Sequence, residues 1–330
     1  MSKKVLIGGL AGVVVVGLAV GGWVYARKQA TEVARYAVEN ALTYGRLQGK
    51  VTYQEVTASP FGSMAVRGIA VTTPEGQGVT IDEILIKDAD LKDGMLKSAT
   101  VVAQGIKIPL VELAGRQQLS PSDKKMVQQI ANMGYGVLNG DVTFATRYDI
   151  DGQTSVSSLN VSIKDMMSVS LEMGYGNLSK DLIQSLLILG QTASAGKGHD
   201  QEMMGQLVST LGKAGSLTLL NNSFRIDMRG LAPRLKQELD KEKAGQVEAA
   251  AAQAKASVSM NLNALGVAPA EADKAANAVS QLLLTGAPLS VKSGMSGPLA
   301  LFKNGNFMTP TFTDVGTYLA VTKTTISSGT

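Results

Sequence analysis

Few residues in this chain could do chemistry, and their spacing is the first test of each. Gly190 to Lys197 reads GQTASAGK. A phosphate-binding loop needs four residues between its glycines, a Ser or Thr after the lysine to meet Mg²⁺, and a strand before it. Here five residues intervene, Gly198 stands where the hydroxyl belongs, and the preceding pattern is helical. The stretch is expected to be a flexible helix–helix loop. Ser122-Asp123-Lys124-Lys125 has the S-x-x-K spacing with which a lysine can activate a serine for acyl transfer, and Lys323-Thr324-Thr325 looks like a damaged K-T-G. No S-D-N-type motif lies between them, so Ser120 and Ser122 are expected to cap a helix instead.

Asp88, Asp90 and Asp93-Gly94 suggest an oxygen-rich cation loop, but Lys92 occupies the position of the third ligand. Asp149-Ile150-Asp151-Gly152 offers only two carboxylates before its turn and is expected to be a strand end with Asp-Gly turn chemistry. His199 is the one histidine, it sits in the glycine-rich loop, and the chain has no cysteine. A zinc or thiol site therefore has no ligand set. No catalytic residue, cofactor or metal ion is expected, and the chain is read as non-enzymatic.

The side chains that carry a functional reading are apolar. Leu182, Ile183, Leu186, Leu187 and Leu189 fall on one helix, and Met203, Met204 and Leu207 on the next. Together they make a wide aliphatic surface with no aromatic residue, and methionine adapts to irregular apolar partners. Amphipathic helices normally serve a core, so these residues are expected to pack helix on sheet, and Leu186→Asp is expected to unfold the body. The sharper alternative is a groove for lipid tails or a partner helix.

The elements that must position these residues follow from periodicity. From Lys50 to Leu113 short β-branched runs alternate with Pro-Gly and Asp-Gly punctuation, which suits an antiparallel meander. Met126, Val127, Ile130 and Met133 form the apolar face of a helix over 121–133. Strands with period-two alternation follow through Val142–Ile150, Leu159–Ile163 and Val169–Tyr175, and again through Leu217–Met228 after the apolar helix pair. A charged helix is expected over 231–256, a strand from Val258 to Leu262, a helix over 270–284, strands near Leu289–Val291 and Leu299–Phe302, and a fraying tail over 309–330.

The chain has 330 residues, 45% of them hydrophobic, enough to bury a sizeable core. Its 31 basic and 27 acidic residues give a net charge of +4. Lys3, Lys4, Arg27 and Lys28 account for the excess, and the remaining residues balance at 27 of each sign. That distribution argues against a nucleic-acid partner. The four cations flank Val5–Ala26, an uncharged run about 33 Å long as a helix, enough to cross a bilayer. Trp23 and Tyr25 stand at its far end, where rings favour the headgroup layer, with Arg27 and Lys28 beyond them. The run is longer than a typical signal-peptide core, which favours a retained anchor over cleavage near Ala26.

The Tyr53-Gln54 pair followed by the Phe61-Gly62-Ser63 turn, and the late Leu283, Gly286, Pro288 and Leu289, resemble the YdgA-like family of envelope proteins. The turn Asp90-Leu91-Lys92-Asp93-Gly94-Met95-Leu96 is similar to the repeated strand-turn units of AsmA-like proteins. The resemblance covers about a third of the chain and carries over no catalytic residue.

The expected fold is therefore α+β: an N-terminal transmembrane helix followed by a mainly antiparallel sheet body with amphipathic helices packed on it. Residues 1–4 are expected as a cytoplasmic tail, 5–26 as the anchor, 27–48 as a helical stalk, 49–308 as a periplasmic body with a sub-boundary near 115–140, and 309–330 as a flexible tail. The expected function is envelope maintenance at a bacterial inner membrane: binding or passing membrane lipid, or scaffolding with other envelope proteins or a second copy. The alternative is a structural or adhesion subunit outside the cytoplasm, with its signal peptide cleaved.

Overall fold

The computed structural model describes residues 30–44, 50–59, 63–73, 76–92, 95–114, 120–195, 200–312 and 314–328. The expectation of a fold that opens with a transmembrane helix is corrected. Among the described residues no helix is long and apolar enough to cross a membrane. The longest, Gln246–Ala264, has 19 residues but carries Glu248 and Lys255 among its alanines. What these residues form is antiparallel sheet with helices. The run Val5–Ala26, with Trp23, Tyr25, Arg27 and Lys28, lies outside the described residues. The chain divides into two compact units, Met1–Arg147 and Tyr148–Thr330.

In the first unit, helix α1 (Ala30–Tyr44) precedes β1 (Val51–Thr52), β2 (Glu55–Ala58), β3 (Met64–Thr73), β4 (Gly76–Lys92) and β5 (Met95–Pro109). Two short helices, α2 (Leu110–Ala114) and α3 (Pro121–Asn132), lead into β6 (Val137–Asp149). β1 and β2 both pair with β3, and β3, β4, β5 and β6 follow as an antiparallel meander. Register aligns the core in rows, Met64–Ile86–Val101 and Val66–Ile84–Ala103. Ala34, Val38 and Leu42, at helical spacing on α1, are buried in the same cluster. The segment expected as a stalk is thus part of this core, because its apolar stripe has a sheet face to cover.

The buried set changes parity along these strands. It steps from Val66 to Ile69, from Ile84 back to Ile81, and from Ala103 to Ile106, three positions where two would keep one face. Gly68 and Gly105 lie in these steps with φ near +62° and +63°. A side chain at Gly105 would collide with the Asp82 carboxylate, and one at Gly68 with Gln54. Glycine at both places permits the kink that a uniform period of two cannot describe.

In the second unit, β7 (Thr154–Ile163), β8 (Met167–Gly176), β9 (Thr218–Asp227), β10 (Leu289–Lys292) and β12 (Thr325–Ser328) lie side by side and antiparallel; β11 (Leu299–Ala300) also pairs with β9. Register sorts the faces cleanly. One face carries the rows Leu159–Leu171–Phe224–Val291–Ile326 and Val161–Val169–Ile226–Leu289. The other carries Asn160–Ser170–Arg225–Ser290–Ser327. Helices α4 (Lys180–Ala195) and α5 (Asp200–Ala214) connect β8 to β9. Helices α6 (Leu231–Glu242), α7 (Gln246–Ala264) and α8 (Pro269–Thr285) connect β9 to β10, and α9 (Val315–Val321) precedes β12.

The α7–α8 pair is packed through small residues. Ala272, Ala275, Ala276, Ala278 and Ser280 are buried on α8, and Ala251 and Leu262 on α7. Leu262, Ala272 and Ala275 form a cluster joined by Leu319 and Ile326. Two expectations change here. Val258 to Leu262 is the last part of α7, not a strand. Val258 and Leu262 are also four apart, and the Ala-rich stretch before them carries the helix through. Residues 309–330 do not fray as a whole: Asp314 caps α9, accepting from the Thr317 amide at 2.7 Å, and β12 pairs with β10. A buried helix turn and a strand partner hold what its Thr and Ser composition could not reveal.

Candidate functional site

The helix pair α4–α5 is built at the ends of two strands. After β8 the chain turns at Asn177, whose φ is +55° and whose amide donates to the Ser216 carbonyl at 3.1 Å. The Tyr148 hydroxyl donates to the Leu178 carbonyl at 2.8 Å. Ser179 then accepts from the Leu182 amide at 3.2 Å and caps the helix. The Lys213 ammonium donates to the Ser185 hydroxyl at 2.8 Å and ties the end of α5 to the start of α4. Beyond α5, Gly215 lies so close to the Gly305 carbonyl that a side chain there would strike backbone.

This frame splits the expected apolar surface into an inside and an outside. Leu182 on α4 is 1% exposed, and Thr210 on α5 is buried. Leu186 and Ile188 are 48% and 53% exposed, and Met204 and Val208, one turn apart, are 54% and 56% exposed. Ile183, Leu189 and Leu207 are half-buried. Leu187 and Met203 lie outside the residues whose side chains are described. Leu186 therefore does not belong to the core, contrary to the helix-on-sheet expectation. Ile188 and Val208 join the surface although the sequence offered only their helical spacing as a sign of it.

The electrostatic setting is equally plain. No charged residue occurs between Asp181 and Lys197, or between Glu202 and Lys213. Among the described residues of α5, the exposed Gly205, Ser209 and Gly212 sit beside Met204 and Val208. A side chain at Gly205 or Gly212 would meet nothing within 4 Å. The result is an uncharged surface of large apolar side chains separated by small residues. Such a surface can bury hydrocarbon.

The other sequence candidates are not assembled into sites. Gly190–Ala195, read as a loop, continues α4; Gly196 to His199 lie outside the described residues. The Ser120 hydroxyl caps α3 by accepting from the Asp123 amide at 3.2 Å, and it lies 2.9 Å from the Ser122 hydroxyl. Asp88 has φ of +56° and its carbonyl accepts from Ser98, while Asp90 pairs with Lys97 at 3.6 Å. Asp149 accepts from the Asp151 amide at 3.2 Å, the turn chemistry anticipated there. Among the described residues no group of three or more His, Cys, Asp or Glu could hold a metal ion.

A second constellation was missed by sequence reasoning. Tyr175 and Tyr318 both titrate above the usual tyrosine range, chiefly through burial, and Tyr175 adds to the shift of Tyr318. Phe312 meets Tyr318 edge to face at 5.2 Å. Among the described residues, Gln206 Oε1, Asn222 Oδ1 and Thr311 Oγ1 are buried without a hydrogen-bond partner. These residues are scattered from 175 to 318, and no local spacing connects them.

A family model described as "Uncharacterized protein" matches residues 160–310, a stretch that contains the helix pair. A search of curated proteins finds no match to the chain.

Proposed function

We propose that this chain is a non-enzymatic, lipid-binding protein of a bacterial envelope membrane, and that the helix pair α4–α5 is the surface that takes up acyl chains. The observation that carries it is the set of four large apolar side chains, Leu186, Ile188, Met204 and Val208, each about half exposed on two consecutive helices with no charge from 182 to 195 or from 203 to 212. Single exposed apolar residues are ordinary on protein surfaces; four on one helix pair with no charge among them favour a partner. Lipid is favoured over a protein partner by the sequence elsewhere. The uncharged run Val5–Ala26, flanked by Lys3, Lys4, Arg27 and Lys28 with Trp23 and Tyr25 at one end, supports residence at a membrane. The absence of cysteine suits a body on the oxidising side of that membrane.

In this reading the exposed apolar side chains exchange water for hydrocarbon. Each fully covered Leu, Ile, Val or Met side chain contributes roughly 1.5–3 kcal/mol, so four half-exposed ones can retain a lipid chain without a polar anchor. Lipid that co-purifies with the full chain, counted per protein by mass spectrometry of the extract, tests this. The double variant Leu186→Asp, Met204→Asp should fold and carry less lipid than the parent. Equal lipid on both proteins would contradict the reading, and recovery of the parent as a dimer that the variant cannot form would assign the surface to a second copy instead.

A further inference from the structure

Strands β8, β9, β10 and β12 alternate apolar and small polar residues, and their register collects the polar ones on one face. On that face Arg225 of β9 stands between Ser170 of β8 and Ser290 of β10, with Ser327 of β12 beyond. The adjoining row reads Glu172, Ser223, Lys292 and Thr325. Lys292 is therefore the diagonal neighbour of Arg225, at about 7–8 Å, within reach of two long side chains that converge. The Arg225 guanidinium donates to Ser290 Oγ at 3.4 Å, so it leans toward the strand that carries Lys292.

Three arginines of this chain are matched with acid: Arg35 with Glu39, Arg67 with Glu55 and Glu83, and Arg229 with Asp227. Arg225 is not. It is half-buried, its cross-strand neighbours on both sides are serines, and among the described residues it forms no ion pair. Lys292 is exposed and among the described residues forms none either. The acids on this face are engaged elsewhere. Asp227 receives Arg229 on both carboxylate oxygens, at 3.0 and 2.6 Å, and Glu172 accepts from Asn221 Nδ2 at 3.4 Å. What remains is two cations with serine hydroxyls between them. A guanidinium fork fits two oxygens of an oxyanion, and an ammonium adds a point charge. A carboxylate has two acceptor oxygens and one charge, which Arg225 alone answers. The second cation and the hydroxyls suit the further oxygens and charge of a phosphate.

We propose that this face binds a phosphate group, free or in the head of a phospholipid, with Arg225 as the fork, Lys292 as the second charge and the Ser170 and Ser290 hydroxyls as donors. The site stands on observations independent of the α4–α5 surface.

The test uses the full chain and two probes, inorganic phosphate and dihexanoylphosphatidylglycerol below its micelle concentration. Binding is followed by titration calorimetry at low ionic strength and folding by circular dichroism. The parent should bind at least one probe, and less tightly as salt is added. Arg225→Gln should weaken binding about tenfold or more, and Lys292→Gln about threefold or more. Arg225→Lys keeps the charge without the fork and should fall between the parent and Arg225→Gln. The double variant Leu186→Asp, Met204→Asp should bind inorganic phosphate as the parent does, which separates this site from the helix pair. Binding of inorganic phosphate assigns a free phosphate; binding of dihexanoylphosphatidylglycerol alone assigns a lipid head. Absence of binding by both probes overturns the site. So does an affinity that Lys292→Gln leaves unchanged, and because Lys292 is exposed that result decides even where Arg225→Gln fails to fold.

Discussion

Two helical regions of the second unit face solvent in opposite ways. Helix α6 covers its outer surface with charge. Lys236 pairs with Asp240 at 3.3 Å and with Glu248, and Lys241 with Glu238 at 2.5 Å. Its Leu231, Ala232 and Leu235 are buried or half-buried. Helices α4 and α5 also bury a contact, at Leu182, yet they leave Leu186, Ile188, Met204 and Val208 outside, with no charge from 182 to 195 or from 203 to 212. The first arrangement is that of a helix whose only duty is the core. The second has an apolar stripe wider than its core contact needs, and the surplus is what a partner would cover.

The largest effect should come from crossing the boundary between buried and exposed residues within one helix. Leu182→Asp buries a carboxylate with no partner, which costs several kcal/mol against a typical total of ~5–15 kcal/mol. Circular dichroism should find the second unit unfolded or strongly destabilised. Leu186→Asp, one turn on, should fold with a stability change within about 0.5 kcal/mol, because the carboxylate stays hydrated. If the two variants unfold alike, the step from buried to exposed along this side of α4 is wrong.

A second expected effect concerns the close-packed pair. Ala276 is buried on α8, and Ala276→Leu should cost about 1–3 kcal/mol through overpacking, read as a lower urea midpoint. Gly205→Ala on α5, where a side chain meets open space, should instead hold or raise stability by up to about 1 kcal/mol, since alanine favours helix. Equal losses at the two positions would erase the contrast between a packed and an open helix surface.

Acid gives a smaller effect. The Arg229 guanidinium, 2.6 Å from Asp227, together with the Arg229 amide, holds the Asp227 carboxyl below the usual carboxylate range. A depressed folded-state pKa stabilises at pH values above the unfolded value, and that contribution is lost as pH falls through the folded one. Asp227→Asn should therefore flatten part of the decline in stability below the ordinary carboxylate range while leaving lipid content unchanged. Smaller still, Lys236→Ala breaks exposed ion pairs on the charged helix and should alter neither melting temperature nor lipid content measurably.

Much of this architecture is legible in residue order. Ser120 as a cap, the apolar pair 180–214 and the alternation of β7 to β9 follow from local chemistry and period. What resisted has physical causes. The parity step at Gly68 and Gly105 spans strands whose alignment is a register property. Val258 to Leu262 satisfies both the strand and the helix period, and only the alanines before it decide. Leu186 looked like core because periodicity finds an apolar stripe but cannot say how much of it the sheet can cover. The hydrogen bonds between Asn222 and Ser293 join residues 71 positions apart, which no window of sequence relates.

The most direct test of the α4–α5 surface is to map where acyl chains touch the protein. The full chain, reconstituted in vesicles whose lipids carry a photoreactive diazirine near the chain end, is irradiated and its peptides are analysed by mass spectrometry. Adducts on Leu186, Ile188, Met204 or Val208, with none on residues 231–242, are the predicted result. Adducts equally frequent on both stretches, or absent from 180–214, would contradict it.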